Sequence, residues 1–191
     1  MLTVIIPTHE SERTLVQTLA PLVSGATAGL ITEVIVADAG SSDATAEVAD
    51  LAGCTYLVSD APPGVRLKQA AAAAHTPWLL FLQPGTVPEP GWIEAVEAFI
   101  ATGEADDRAA AFQRRTQQVE EPGLIAFLGA LKAALFGTPV GPEQGLLIAR
   151  RFYDRIGGHP ASAEGEAALL ARLGRRLALL AAGARPARPH T

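Results

Sequence analysis

The chain is short of several things, and each shortage excludes something. Among its 191 residues there is one cysteine, Cys54, so no internal disulfide can form and a reducing compartment is the default expectation. Aromatic residues make up only 5% although apolar residues reach 49%. Much of the apolar share is alanine, so helices are expected to pack closely through small side chains. Positive charge is also scarce. Fifteen Lys and Arg face twenty Asp and Glu, for a formal charge of −5 and a pI near 5.4. Nucleic-acid binding wants a basic face that this balance does not supply, so no nucleic-acid partner is expected. No uncharged apolar run reaches the roughly 18 residues of a membrane span, and no signal peptide precedes the first strand. A soluble, cytoplasmic protein is the expectation, with peripheral membrane contact as the weaker alternative.

What the chain does have is a series of short buried strands followed by turn-rich loops. Leu2–Ile6 (LTVII), Val34–Ala37 (VIVA) and Trp78–Leu82 (WLLFL) are apolar throughout, as strands covered on both faces must be. Thr55–Val58 is a shorter candidate. Helical spacing is read from Thr14 to Leu22, over Ala44–Ala52, over Arg66–His75 and over Trp92–Ala101. Gly25 and Gly29 are expected to break the first of these. Strand, helix and strand in alternation predict a parallel α/β sheet with right-handed crossovers. In such a sheet the loops at the carboxyl ends of the strands form the ligand site.

Those loops carry the candidate chemistry. Pro7 is expected to end the first strand, because it cannot donate to a ladder. Thr8 and His9 follow it. Asp38 ends the second strand and is followed by Ala39-Gly40-Ser41-Ser42, with Ser42 or Asp43 as a helix cap. This loop has too few glycines for a dinucleotide fingerprint and no lysine for a P-loop. Two readings stand for Asp38: it caps the turn, or it accepts hydrogen bonds from a base or ribose. His9 is either a solvated loop residue or the other wall of a base pocket, brought beside Asp38 by topology across 29 positions. Arg66 and Lys68 open a helix against the usual dipole preference, which a nearby anion such as a diphosphate would explain as well as solvation does. The loop Gln83-Pro84-Gly85 after the central strand carries no carboxylate.

The second half reads as a strand at Ala109–Arg114, an apolar helix at Leu124–Phe136 (a candidate core element, homodimer face or membrane contact), a strand at Leu146–Ala149, a short helix from Arg150 to Ile156, a helix over Ala163–Leu173 and a last strand over Leu177–Leu180. Gly183–Thr191 reads as a basic, proline-rich tail. No linker or repeat interrupts the chain. One domain is expected, with a nucleotide-binding half at residues 1–102 and an acceptor-side half at residues 103–191.

Three segments, VIIPTHESERTLVQTL (Val4–Leu19), EVIVADAGSSDATAEVA (Glu33–Ala49) and WLLFLQPGTVPEPGW (Trp78–Trp92), resemble the family 2 glycosyltransferases. GPEQGLLIARRFYDRIGGHP (Gly141–Pro160) resembles that family's acceptor-side segment, and the short bacterial subgroup linked to radical-SAM and selenodomain proteins looks most similar. The resemblance implies a GT-A fold, a mostly parallel central sheet with helices on both faces. It implies inverting transfer of a sugar from a UDP- or GDP-linked donor to an acceptor. Carried over by position, Pro7, Thr8, His9, Asp38, Ser41, Arg66 and Gln83 would contact the nucleotide, and Glu164 or Glu166 would be the general base. The departures are specific. The family's D-x-D motif, which holds Mg²⁺ or Mn²⁺ against the diphosphate, is replaced by Gln83, Pro84 and Gly85. Its Asn-Glu reads Glu10-Ser11. Of its Gln-x-Asn-x-Gly only Gln69 remains, and its Glu-Asp pair has no nearer counterpart than Glu164-Gly165-Glu166. Metal-independent transfer, with Arg66 and Lys68 stabilising the diphosphate, and a catalytically degenerate nucleotide-binding or scaffold protein are therefore the two readings. A nucleotidyltransferase is disfavoured, because Pro7–Ser11 lacks the glycine-rich basic loop that such enzymes carry.

Overall fold

The computed structural model describes residues 1–103, 107–114 and 140–187. The candidate dimer or membrane helix Leu124–Phe136 lies outside the described residues.

The first half alternates as expected: β1 (Leu2–Thr8), α1 (Glu12–Thr27), β2 (Ile31–Asp38), α2 (Thr45–Leu51), β3 (Thr55–Val58), α3 (Pro63–Ala73), β4 (Trp78–Phe81), β5 (Thr86–Pro88) and α4 (Trp92–Ala101). The second half supplies β6 (Ala109–Arg114), a 3₁₀ turn at Pro142–Gln144, β7 (Leu146–Ala149), α5 (Arg150–Arg155), α6 (Gly165–Leu173) and β8 (Leu177–Pro186). All eight strands join one sheet in the order β3-β2-β1-β4-β7-β6-β8-β5. The β3–β2, β2–β1, β1–β4 and β6–β8 pairs are parallel, and the other three are antiparallel. The core lies on the central strands: Val4, Ile5, Ile6, Leu79, Leu80, Phe81, Leu147 and Ile148 are fully buried. The alanines of β6, Ala109 to Ala111, are buried too, where small side chains let neighbouring layers close in.

Strand order fixes where the cleft opens. The first two crossovers step outward from β1 to β2 to β3, and the third returns past β1 to β4. With right-handed crossovers, α1 and α2 then cover one face and α3 the other, so the chain divides between β1 and β4. Pro7 sets the depth of that division. It does not end β1, which stays paired with β2 as far as Thr8 opposite Asp38. It ends the pairing with β4 instead. The Leu82 N–H donates to the Ile5 carbonyl at 3.0 Å, and the next parallel bond on that side would need an N–H at residue 7. Proline has none, so the strands separate and Gln83 is released beside Pro7 and Thr8.

Three expectations are corrected. Gly25 does not break α1 but lies inside it, because the Trp92 ring occupies the space where a Cβ would stand, 2.5 Å away. Thr86–Pro88, assigned to no element from the sequence, is a strand. It lies at the sheet edge, paired with Ala184–Pro186, a position where proline is tolerated. That pairing extends β8 to Pro186, so Gly183–Pro186 is sheet rather than tail.

Candidate active site

Five chain segments meet at the β1/β4 division. The loop after β1 presents His9, exposed, with its base cross-braced to the loop after β2. The backbone N–H groups of Glu10, Ser11 and Glu12 donate to Ser41 Oγ, Thr45 Oγ1 and Asp43 Oδ2 at 2.9, 2.9 and 3.0 Å. Glu10 itself is held at φ 49°, a left-handed conformation for a residue with a side chain, and its carboxylate accepts from the Ser42 N–H at 2.8 Å. Strain of this kind persists only where the surroundings over-determine it, and here two loops do so together.

Asp38 is the centre of that bracing. It is fully buried. Oδ1 accepts from Thr8 Oγ1 at 2.7 Å and Ser41 Oγ at 2.6 Å, and Oδ2 accepts from the N–H groups of Gly40 and Ser41 at 2.7 and 2.6 Å. Burial pushes its pKa upward, but the hydrogen bonds from Ser41, Thr8 and Tyr56 outweigh that and hold it at about 2. The Tyr56 phenol is pushed up to about 12 by its own burial and by its bond to the Asp38 charge. In this arrangement Asp38 and Ser41 bond each other and their loop. Neither borders the two cavities described next, and a base donor reaching Asp38 must displace one of these partners.

The larger cavity, about 470 Å³, is walled by Pro7, Thr8, His9, Arg66, Gln83, Glu164 and Glu166, with Pro63, Leu67 and Ala163 among its apolar lining. A second, of about 290 Å³, lies between Ala37, Tyr56, Val58, Ser59 and Gln69. Arg66 borders both. It is 9% exposed, donates from Nη1 to the Ala61 carbonyl at 3.1 Å, and leaves Nε without a partner. A buried guanidinium with an unmet donor and, among the described residues, no carboxylate beside it is suited to an anionic ligand. Lys68, the other expected cation, is exposed and borders neither cavity.

Across the cavity stands α6, locked to α3 by two glycines. Gly64 packs against the Pro160 carbonyl, and Gly165 lies so near Gly64 that a Cβ would meet its Cα at 2.7 Å. This contact brings the first turns of both helices together and separates the two glutamates. Glu164 is exposed at the N-cap, whereas Glu166 is half-buried and accepts a hydrogen bond from the Gln83 side-chain amide. Burial raises Glu166 to about 7. The Gln83 bond pulls it down, and the charge of Glu143 pushes it up again.

The Gln83-Pro84-Gly85 loop offers no carboxylate to a hard divalent cation. Such ions want several oxygen ligands, carboxylates above all. Pro84 and Gly85 have no side-chain oxygen, and Gln83 turns an amide N–H toward Glu166. Among the described residues no group of three His, Cys, Asp or Glu converges on a point.

The strand at Thr55–Val58 is readable from the sequence, but no motif there marks Tyr56 or Ser59 as cavity-lining residues. Gln69 was visible as the remnant of a motif, and it lines the second cavity. Among the described residues no helix is long and apolar enough to cross a membrane.

A mostly parallel α/β sheet with a cleft at its topological switch point, lined by the loop after β1, a buried arginine and an acid, defines a fold of the GT-A type. The family model for glycosyl transferase family 2 matches residues 3–134, and the chain belongs to that family. Among solved structures, glucosyl-3-phosphoglycerate synthase from Mycobacterium tuberculosis, in complex with Mn²⁺, UDP and glucosyl-3-phosphoglycerate, aligns with a TM-score of 0.70 at 23% identity, covering 100% of this chain and 73% of that one. TarS 1-349 of S. aureus in complex with UDP-GlcNAc aligns with a TM-score of 0.70 at 17% identity, covering 100% of this chain and 59% of that one. No curated protein matches the chain in sequence.

Proposed function

We propose that this chain transfers a sugar from a UDP- or GDP-linked donor to an acceptor hydroxyl, with inversion and without a divalent cation. The observation that carries the reading is the pairing, across one cavity, of a buried arginine whose Nε has no partner among the described residues and a half-buried carboxyl. The nucleoside would occupy the space beside Tyr56, Gln69 and the Pro7–His9 loop, backed by the Asp38–Ser41 brace. Its diphosphate would lie against Arg66, where the two cavities meet, with Gln83 at the sugar end. Glu166 would accept the proton of the acceptor hydroxyl as its oxygen attacks the anomeric carbon. The bond from that carbon to the diphosphate breaks, and Arg66 stabilises the charge that appears on the leaving group. Glu164, at the cavity lip, would face the acceptor side. A soluble, cytoplasmic setting fits this chemistry.

The test has two parts. Calorimetric titration with UDP and GDP in the presence of EDTA is expected to show binding, weakened by roughly one to two orders of magnitude in Arg66→Met, the worth of a charge-assisted pair. Glu166→Gln is expected to keep nucleotide binding and lose roughly 10²- to 10⁴-fold in sugar-nucleotide turnover, the usual weight of a general base. Binding that requires Mn²⁺, or a Glu166→Gln variant with full turnover, overturns the reading. The replacement of the metal motif by Gln83-Pro84-Gly85 favours a second reading, a nucleotide-binding protein without catalysis. Wild-type protein that binds UDP or GDP but neither hydrolyses nor transfers a sugar would establish it.

A further inference from the structure

We propose that Gln83 is a positioning residue for Glu166, holding that carboxyl in the cleft through both of its protonation states. The inference rests on the proposed transfer reaction and deepens it. Gln83 is the first residue freed where β1 and β4 part, and its amide reaches across the cavity to Glu166 Oε2. The Gly64–Gly165 contact already fixes the backbone of the first turn of α6. The side chain of Glu166 is then the remaining freedom, and Gln83 removes it. An amide suits a partner that must gain and lose a proton. Its N–H donates to a carboxylate, and its carbonyl, after a half-turn, accepts from a carboxylic acid. An aspartate in its place would repel the ionised form, and a lysine would hold the acid ionised and weaken it as a base. The other charged and titratable groups around Glu166 are Glu143 from the 3₁₀ turn, itself paired with Arg114, Arg66 from α3, His9 from the loop after β1, and Glu164 on the lip of α6. None of these is hydrogen-bonded to Glu166, so the amide is its direct restraint among the described residues.

The experiment is ¹³C NMR titration of the glutamate side-chain carboxyls of the full chain, with the Glu166 signal assigned by its loss in Glu166→Gln. In wild-type protein that signal is expected to titrate near neutrality. Gln83→Met, of similar volume, removes a charge-assisted bond to the carboxylate but only a weaker neutral one to the acid, so it is expected to favour the protonated form by roughly tenfold, moving the midpoint up by about one pH unit. Gln83→Lys is expected to move it down toward the ordinary carboxylate range. With a UDP-sugar as substrate, Gln83→Met should lower kcat and displace the acid limb of the pH profile, where Glu166 ionises, in the same direction, with KM little changed. A Glu166 midpoint unmoved in both variants overturns the proposal, and so does a loss confined to KM, which would place Gln83 directly on the donor. Shifted midpoints in a protein that turns over no sugar nucleotide would keep the clamp and overturn the proposed function instead.

Discussion

Alanine at position 64 makes the sharpest structural prediction, because two effects of opposite sign compete there. Gly64 sits in the first turn of α3, and at an unobstructed helical site glycine to alanine stabilises by up to about 1 kcal/mol. Here the added Cβ would stand 1.9 Å from the carbonyl oxygen of Pro160 and 3.1 Å from that of Ser162. Both are backbone atoms and cannot rotate away. Relief requires α3 and the Pro160–Gly165 segment to move apart, which overpacking data put at about 1–3 kcal/mol. The same movement stretches the Gly64 N–H bond to the Ser162 carbonyl, 3.2 Å in the native arrangement, for about 1 kcal/mol more. The net expectation is a loss of about 2 kcal/mol, or a fall in Tm of about 4–8 °C for a chain of this size. Urea unfolding followed by circular dichroism, with thermal scans beside it, reads the change directly. Because α6 carries Glu166, the variant should also alter the Glu166 titration. Unchanged or increased stability in Gly64→Ala would mean that the two helix starts are not in backbone contact.

The remaining expectations concern charge. Asp38→Asn puts an amide N–H₂ or a turned carbonyl where Gly40 and Ser41 now donate, and should cost about 3 kcal/mol at pH 7 by denaturant unfolding. The folded pKa of Asp38 is depressed, so the wild-type carboxylate contributes about 2 kcal/mol above pH 3.8 that is lost as pH falls toward about 2. The cost of the substitution should shrink over that window. Glu166 has the opposite sign. Its folded pKa lies above the unfolded 4.5, so between pH 4.5 and about 7 the unfolded chain releases this proton first and stability falls as pH rises. Glu166→Gln should therefore be more stable than wild type at pH 8, by about 3 kcal/mol, with the gap closing toward pH 4.5; a gap that widens on acidification would contradict the assignment. Arg66→Met should leave stability unchanged or slightly higher in thermal scans, since it removes an unmet buried donor. A large loss of stability there would mean that Arg66 is structural.

Much of the fold was legible because the central strands needed no tertiary information. Runs such as Val4–Ile6 and Leu79–Leu82 are apolar on both faces, and only a covered parallel sheet accommodates that. Thr86–Pro88 was not legible. Three residues carry no period, and their partner in β8 lies about a hundred positions further on. At the site, position along the chain pointed to Pro7, Thr8, His9, Arg66 and Gln83, the family resemblance pointed to Glu164 and Glu166, and all seven line one cavity. Position was not enough to say where the lone pairs of Asp38 are directed, because Thr8, Ser41 and Tyr56 come from three different segments. The choice between Glu164 and Glu166 shows how much a neighbouring residue can decide. In a helix successive side chains turn by about 100°, so two glutamates either side of one residue cannot share a direction. Gly165 is the residue that must press against Gly64, and a side chain there is excluded by the Pro160 carbonyl. Once that face is fixed on α3, Glu166 is the glutamate inside the helix that meets Gln83, and Glu164 is left at the N-cap in solvent. The glycine between the two acids was the readable signal. Its meaning depended on a second glycine about a hundred residues earlier.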